Sequence, residues 1–449
     1  MVEILHKTTF NKRNPKYVLY LMSVPSMIRN NSLRPLKLIL FAASVATLAS
    51  VNAVANEHLQ LSGFGNLSAI HSGTDDFGYV YDLTKGPIYR EWSLDAGSSI
   101  GLQLNARFSD GWDFVVQGVI KDRIQNNLDK TITWAFLRYR VSSAVSVRVG
   151  RIATPIYMLS EYRDVGFAYL WTKPVTDFYA NIPVTSLNGG DIAYTTPLSD
   201  GIIEARVFGG QSAVSINTIF SSYEVTLSPM IGTKLSFYSD RWNISGSATT
   251  AKVDEGNPAS SLITLASSNS QILALWPSLQ NTLQDFEVET TRFYYYSLGA
   301  QYETEDWSIQ AELSYTDADW PFFPDLMAGY TSLGKTVNDL TIYGFASKAK
   351  SFGDFYELEP PSIAALTIPE ISYAYGVIKS NLNARVIDQE TLGIGARYYI
   401  NSQLSLKGQI ERSWLNNDRI GSWSVNEKAL TKPVPDYIDT ISVGLSFVF

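Results

Sequence analysis

Six basic residues recur within a short stretch of the chain: Arg107, Lys121, Arg123, Arg138, Arg140 and Arg148. In "WAFLRYRV" the apolar Leu137, Tyr139 and Val141 alternate with Arg138 and Arg140, and in "VSVRVGR" Val145, Val147 and Val149 alternate with Ser146 and Arg148. A period of two belongs to a β-strand, so each segment carries one apolar face and one basic face. Clustered guanidinium and ammonium groups attract anions by their summed field. Covalent catalysis would need more, an activated nucleophile with a base beside it. The chain holds no cysteine and three histidines, His6, His58 and His71. Disulfides and thiolate metal sites are therefore excluded, and no cofactor is expected.

The elements that position these residues follow from the same alternation. Only 17% of residues are charged, against about 25% in an ordinary soluble domain. No apolar run of helix-spanning length follows Ala55, which excludes a bundle of membrane helices. Counting alternating segments gives 16 strands, with seven tight connections starting at Ser109, Ser142, Ser199, Ser239, Glu303, Lys335 and Asn401. Tyr223 to Tyr238 reads as one strand with a bulge at Ser228-Pro229, where proline is tolerated. An even strand count, short turns at one end and long loops at the other predict an all-β fold, a 16-stranded antiparallel transmembrane β-barrel. Its first and last strands would pair and leave no edge. A large soluble solenoid or multi-sandwich is the competing architecture. Aromatic residues near strand ends (Trp112, Tyr139, Tyr194, Trp242, Tyr302, Trp307, Tyr398 and Phe449) favour the barrel, because such rings form interfacial girdles.

Residues 1–55 read as an N-terminal extension plus a cleaved signal peptide. Basic Arg34 and Lys37 precede an apolar region at about 38–54, which ends in the small-x-small site Ala53-Val54-Ala55. A membrane-anchoring helix is the other reading, and Met22 or Met27 are alternative starts. The barrel then occupies residues 56–449. Residues 1–55 carry seven Lys/Arg and one Asp/Glu of the chain's 35 and 43, so the remainder has a net charge of −14. That acidity excludes nucleic acid as a partner, which requires a basic footprint. The chain ends "ISVGLSFVF", with Ile441, Val443, Leu445, Phe447 and Phe449 on one face and Ser442, Gly444 and Ser446 on the other. This strand is expected to close the ring against "HLQLSGFGNLSA".

Together, the leader, 16 alternating segments and a terminal strand ending in phenylalanine resemble the general porins of Gram-negative bacteria, at the level of pattern over the whole mature chain. Locally, Val149 to Tyr194 resembles the strand-loop-strand that carries the third loop in that family. The resemblance implies an outer-membrane, water-filled channel for passive diffusion of small hydrophilic solutes and ions. It also implies a homotrimer, contact with outer-membrane lipid and lipopolysaccharide, and recognition of the last strand by the barrel-assembly machinery. In this reading Arg107, Lys121, Arg123, Arg138, Arg140 and Arg148 line the pore. The third loop folds inward, and its Glu161, Asp164 and Asp177 face them across the opening. Asp191 and Glu204 face the lumen below. Tyr157, Phe167, Tyr169 and Trp171 either line the pore or pack the loop on the wall. Outer-loop acids (Asp75, Asp76, Asp285, Glu287, Glu289, Asp317, Asp319, Glu357 and Glu359) either bridge divalent cations to lipopolysaccharide or are solvated. The net charge favours cations and the basic patch anions, so low selectivity is expected. Two alternatives stand: a porin specific for phosphate, sugar or organic acid, and an outer-membrane hydrolase using His71. A plugged, gated receptor would need a domain ahead of the first strand, which is expected to begin directly after Ala55.

Overall fold

Side-chain alternation fixes which strand face meets the interior, and backbone pairing fixes the rest. The computed structural model describes residues 58–217, 222–256, 270–285, 291–320, 323–353, 356–383, 386–417, 419–426, 429 and 432–449. The expected leader, residues 1–55, lies outside them. The barrel strands are β1 Leu59–Ser72, β2 Ser99–Ser109, β3 Trp112–Lys121, β4 Ile132–Arg140, β5 Val145–Ala153, β6 Ser186–Leu198, β7 Gly201–Asn217 and β8 Ser222–Tyr238. They continue as β9 Trp242–Glu255, β10 Arg292–Glu303, β11 Trp307–Ala318, β12 Asp325–Val337, β13 Leu340–Phe352, β14 Asp388–Asn401, β15 Leu404–Leu415 and β16 Tyr437–Val448. Each pairs antiparallel with the next, and β1 pairs with β16 from Phe64↔Val448 to Ser72↔Thr440. The predicted 16-stranded ring therefore forms and closes.

Two boundaries differ from the reading of the sequence. The segment after "IIEARVFGG" is strand, because β7 continues to Asn217. Ser212 and Val214 there turn into the barrel while Gln211, Ala213 and Ser215 stay outside. The turn expected at Lys335 shrinks to Asn338 and Asp339, with Asn338 at a φ of 54°. The strand Tyr223–Tyr238 does run unbroken through Ser228-Pro229, with the register shifting between Leu227 and Met230.

The outward face is apolar: Val149 is 62% exposed, Leu298 61% and Ile394 68%. Rings gather near the short turns, with Trp112 stacked on Tyr139 at 4.4 Å and Trp242 against Tyr302 at 4.7 Å. The closing seam has its own device. A Cβ on Gly63 would lie 2.2 Å from the Phe449 ring, and one on Gly65 would lie 2.3 Å from the Phe447 ring. The two terminal rings thus lie flat on glycine backbone, with Gly63 N–H donating to Phe449 O at 2.9 Å and Phe449 N–H returning 2.9 Å to Gly63 O. Aromatic cover of a strand glycine excludes water from the seam hydrogen bonds.

Residues 154–185, the third long connection, fold into the lumen as expected from the resemblance. Ile156, Leu159, Trp171, Val175, Phe178 and Tyr179 are buried there against inward residues of β7–β13. The outer mouth carries further helices, Ser270–Leu275, Leu279–Asp285 and Pro369–Asn383. Trp276 joins two of these connections, its ring 5.6 Å from Tyr375 and its indole N–H donating to Glu359 O at 2.9 Å.

Because the seam has no room for a side chain, Gly65→Leu should displace the Phe447 ring at a cost of about 1–3 kcal/mol. The expected outcome is a lower denaturant midpoint and less of the compact, unheated species on SDS gels. Wild-type mobility and midpoint would contradict the packing described.

Candidate functional site

The third loop is held inside the barrel chiefly by its own backbone, which needs partners once buried. Ser247 and Ser297 donate to Ile156 O at 2.8 and 2.6 Å, and Lys234 Nζ donates to Tyr157 O at 2.9 Å. Lys407, itself fully buried, donates to Gly166 O at 2.5 Å, to Trp171 O at 2.8 Å and also to Tyr169 O. Arg397 adds Phe167 O at 2.8 Å and Tyr169 O at 3.3 Å. Two buried carboxylates on the wall complete the anchorage. Glu312 accepts from Met158 N–H at 2.9 Å and from the Tyr179 hydroxyl, and Glu411 pairs with Lys173 at 2.5 Å.

The opposite edge of the loop meets the basic wall. Glu161 accepts from Arg148 at 3.0 Å, and Asp164 accepts from Lys121 at 2.6 Å. These two acids were expected to face the basic residues across an opening. The structure puts them in direct contact, because the loop is long enough to reach from β15 to β3 and β5. Asp177 departs further. It lies at the β13–β14 wall, accepting from Ser347 at 2.8 Å, Gln389 at 2.6 Å and Thr391 at 3.2 Å. The helical turn Thr176–Tyr179 carries it away from the arginines.

The six basic residues fall into two groups. Arg107, Arg138 and Arg140 sit at the short-turn mouth around one acid, Asp113, whose side chain is 6% exposed. Arg138 Nε and Arg140 reach Asp113 Oδ2 at 3.0 and 2.6 Å, and Arg107 stands 3.5 Å from Oδ1. Arg148 continues the row to Asp191 at 3.0 Å, and Arg206 joins Asp191 at 2.7 Å and Glu204 at 2.8 Å. Asp191 and Glu204 thus lie inside as expected, but they make the expected basic patch a near-neutral network. Strand register sets Asp113 beside Arg138 and Arg148 beside Asp191. Alternation alone assigned the faces and not these neighbours.

Lys121 and Arg123 form the second group, toward the long loops. Arg123 lies beyond the end of β3 and donates to Val119 O at 3.0 Å. With Lys130 and Arg151 they line a cavity of about 110 Å³ that also contains Asp82 and Asp129. The inward cations Lys234, Arg397 and Lys407 and the acids Glu312 and Glu411 were missed, although period-two counting along β8, β11, β14 and β15 reaches them.

Other expected features are also placed. Tyr157, Tyr169 and Trp171 are buried, and Phe167 lies under the Arg397 guanidinium at 4.5 Å, so these aromatics pack the loop. His71 is on the outward-facing side of β1, 5.2 Å from the Trp92 ring. Among the outer-loop acids, Asp75 and Asp76 pair with Arg90 and Lys432 at 3.6 and 2.7 Å, whereas Glu287 and Glu289 lie outside the described residues. On the outward face of the seam, Ile441, Val443, Leu445, Phe447 and Phe449 occupy one stripe, as the alternation predicts.

Asp82, in the connection between β1 and β2, is buried with Arg163 at 3.6 Å. Burial would raise its carboxyl, but the charges of Arg163, Lys121 and Lys85 outweigh that and hold it at about 2. Beside it, burial pushes the Lys85 ammonium down to about 8 despite Asp82.

No protein family model matches the chain, and no curated protein does. Among solved structures, Salmonella typhi OmpF in complex with daunomycin is 13% identical, over 87% of this chain and 97% of that one, with a TM-score of 0.49. The anion-selective porin of Comamonas acidovorans is 12% identical over 87% and 99%, also at 0.49. The outer-membrane channel DcaP of Acinetobacter baumannii is 13% identical over 87% and 97%, at 0.46. The barrel assignment rests on the strand pairing and not on these likenesses.

Asp113→Asn leaves three guanidinium groups around a neutral amide. A loss of about 1–2 kcal/mol in urea unfolding is expected, the half-exposed arginines moderating the effect, and an unchanged midpoint would contradict the network. The depressed Asp82 carboxyl gives a pH dependence of definite sign. Its stabilisation is complete above the ordinary carboxyl value of about 4 and is lost as pH falls through about 2. Asp82→Asn should flatten that part of the stability profile between pH 5 and 2.

Proposed function

We propose that this chain is an outer-membrane porin: a barrel that crosses the membrane with 16 strands and carries small hydrophilic solutes and ions through its lumen by diffusion. The observation that carries this reading is the combination of a closed ring, an apolar belt and an inward loop bearing charge. A barrel is one of two architectures that satisfy every backbone group in hydrocarbon, and the outward Leu, Ile and Val with rings near the short turns match the belt and girdle of such a barrel. Inside, charged side chains cluster where the loop meets β3 and β5, and rings of charge set selectivity in a channel. The reading includes three copies per assembly, contact with outer-membrane lipid and lipopolysaccharide, and delivery by the barrel-assembly machinery through the terminal stripe ending in Phe449.

One observation favours a narrower second reading, a channel selective for small anions such as phosphate or organic acids. Glu161 and Asp164 touch the basic wall directly. The cavity above them is lined by Lys121, Arg123, Lys130 and Arg151 with Asp82 and Asp129, and Lys121 and Lys130 also pair with Asp164 and Glu224. A hydrolase using His71 has no such support, since that ring points outward.

Planar-bilayer recording under a KCl gradient tests the proposal. Stepwise conductance, in threes for an assembled trimer, is expected. Replacing both loop acids (Glu161→Gln with Asp164→Asn) removes two ion pairs that hold the loop to the wall. Conductance should rise and the reversal potential should move toward anion preference. A silent protein would overturn the channel reading. Unchanged conductance in the double variant would show that these contacts do not bound the path. Saturable block by phosphate would favour the anion-selective reading, and its absence the general one.

A further inference from the structure

The outer half of the lumen is divided chemically. At the wall of β3–β7 lies the charged cavity described above, which also draws on outward positions such as Gln211 and Ala213. Against the outer ends of β7–β12 lies a second, larger one of about 230 Å³. Among the described residues its lining contains no Asp, Glu, Lys, Arg or His. Its wall is made by inward positions that hydrate the lumen in a simple aqueous pore, yet here Val214, Val225 and Val253 are 5–7% exposed. The third loop supplies the floor with Ile156 and Ile182, and the connection between β11 and β12 supplies Trp320 and Phe323 at the rim.

Such a space is a poor host for ions, because an ion buried without a counter-charge shifts its equilibrium toward the neutral form or leaves. Thr249 Oγ1, Ser422 Oγ and Trp423 Nε1 in its lining are buried without partners and offer hydrogen bonds to water or to an uncharged occupant. Apolar surface, by contrast, is driven in by its removal from water. Size points to the class of occupant: an apolar engineered cavity of about 150 Å³ takes up benzene, and this one is larger. Ligand sites are concave, mostly apolar and few per protein. The mouth faces the long-loop side, since every wall strand contributes its outer end.

We infer that this cavity is a binding site for an uncharged, mainly apolar molecule of one or two rings, entered from the long-loop side. It is separate from the charged region beside β3 and β5, and it holds whether or not the barrel conducts. The site would give the outer vestibule affinity for ring-bearing solutes or for the apolar part of a larger one.

The test uses the full-length barrel in lipid nanodiscs with 4-fluorobenzyl alcohol as probe, read by ¹⁹F line broadening. Empty nanodiscs measure partition into lipid, and 4-fluorobenzoate supplies a charged molecule of matching size. Saturable binding of the alcohol is expected, with the benzoate at least tenfold weaker. Ala251→Phe fills the cavity, and Val225→Glu places a carboxylate in its wall. Each should weaken the alcohol at least tenfold while heat-shifted gel mobility confirms the folded ring. If either variant fails to fold, the comparison of alcohol and benzoate on the wild type still decides. Broadening no greater than in empty nanodiscs, equal binding of the two probes, or undiminished binding in both folded variants would each overturn the site. Conductance is a separate measurement, so loss of this inference leaves the channel reading standing.

Discussion

Everything in this molecule depends on one constraint: a sheet whose outer face is apolar must leave no backbone group without a partner. The ring meets it only if β16 lies against β1, and there the chain places two phenyl rings over two glycines. Gly63 and Gly65 have no side chains, so Phe449 and Phe447 cover the seam where a hydrogen-bonded edge would otherwise be exposed. Phe449 and Gly63 exchange both backbone hydrogen bonds at 2.9 Å, so the last residue still belongs to the ring. Closure thus follows from a single junction.

A closed ring creates a second demand, on the loop it encloses. Residues 154–185 cannot keep their backbone solvated once folded inward, so the wall must satisfy them. Lys407 and Arg397 do most of this by donating to five loop carbonyl interactions, while Glu312 receives an N–H. These groups are charged, buried and directed at backbone, which makes the loop part of the barrel's interior and not a mobile appendage. The arginines are handled differently. Asp113 and Asp191 hold them in a network at the short-turn mouth, whereas Lys121 pairs with Asp164 of the loop itself. Residues that set the field near the loop therefore also help to hold it.

Much of the architecture was legible because period two is hard to counterfeit across sixteen segments. The inward face of Arg138, Arg140 and Arg148 could be read directly, as could the outward stripe from Ile441 to Phe449. What could not be read was adjacency. Asp113 is as clearly inward as its neighbours, but only the registers of β3 on β2 and on β4 show it between Arg107 and Arg138. The position of Asp177 depended on a four-residue helical turn with no capping signal. The apolar half of the lumen was hidden for another reason: along β8 both faces carry large apolar residues, Val225 and Met230 within and Ile231 and Leu235 without, so hydropathy cannot tell core from lipid. The helix Pro369–Asn383 was legible, with Ile371, Ala374, Val377 and Ile378 at helical spacing, yet strand counting alone passes over it.

The third loop crosses the lumen and is fixed to the far wall. Gly166 lies at the crossing: a Cβ there would stand 3.1 Å from Ser446 Oγ of β16. The chain contains no cysteine, so a pair introduced by Gly166→Cys and Ser446→Cys can report on this contact without background, and the approach suits a disulfide. Oxidation in intact outer membranes is expected to link the two residues in folded protein, leaving neither thiol open to a membrane-impermeant maleimide. Folded protein with both thiols free and labelled from outside would contradict the account.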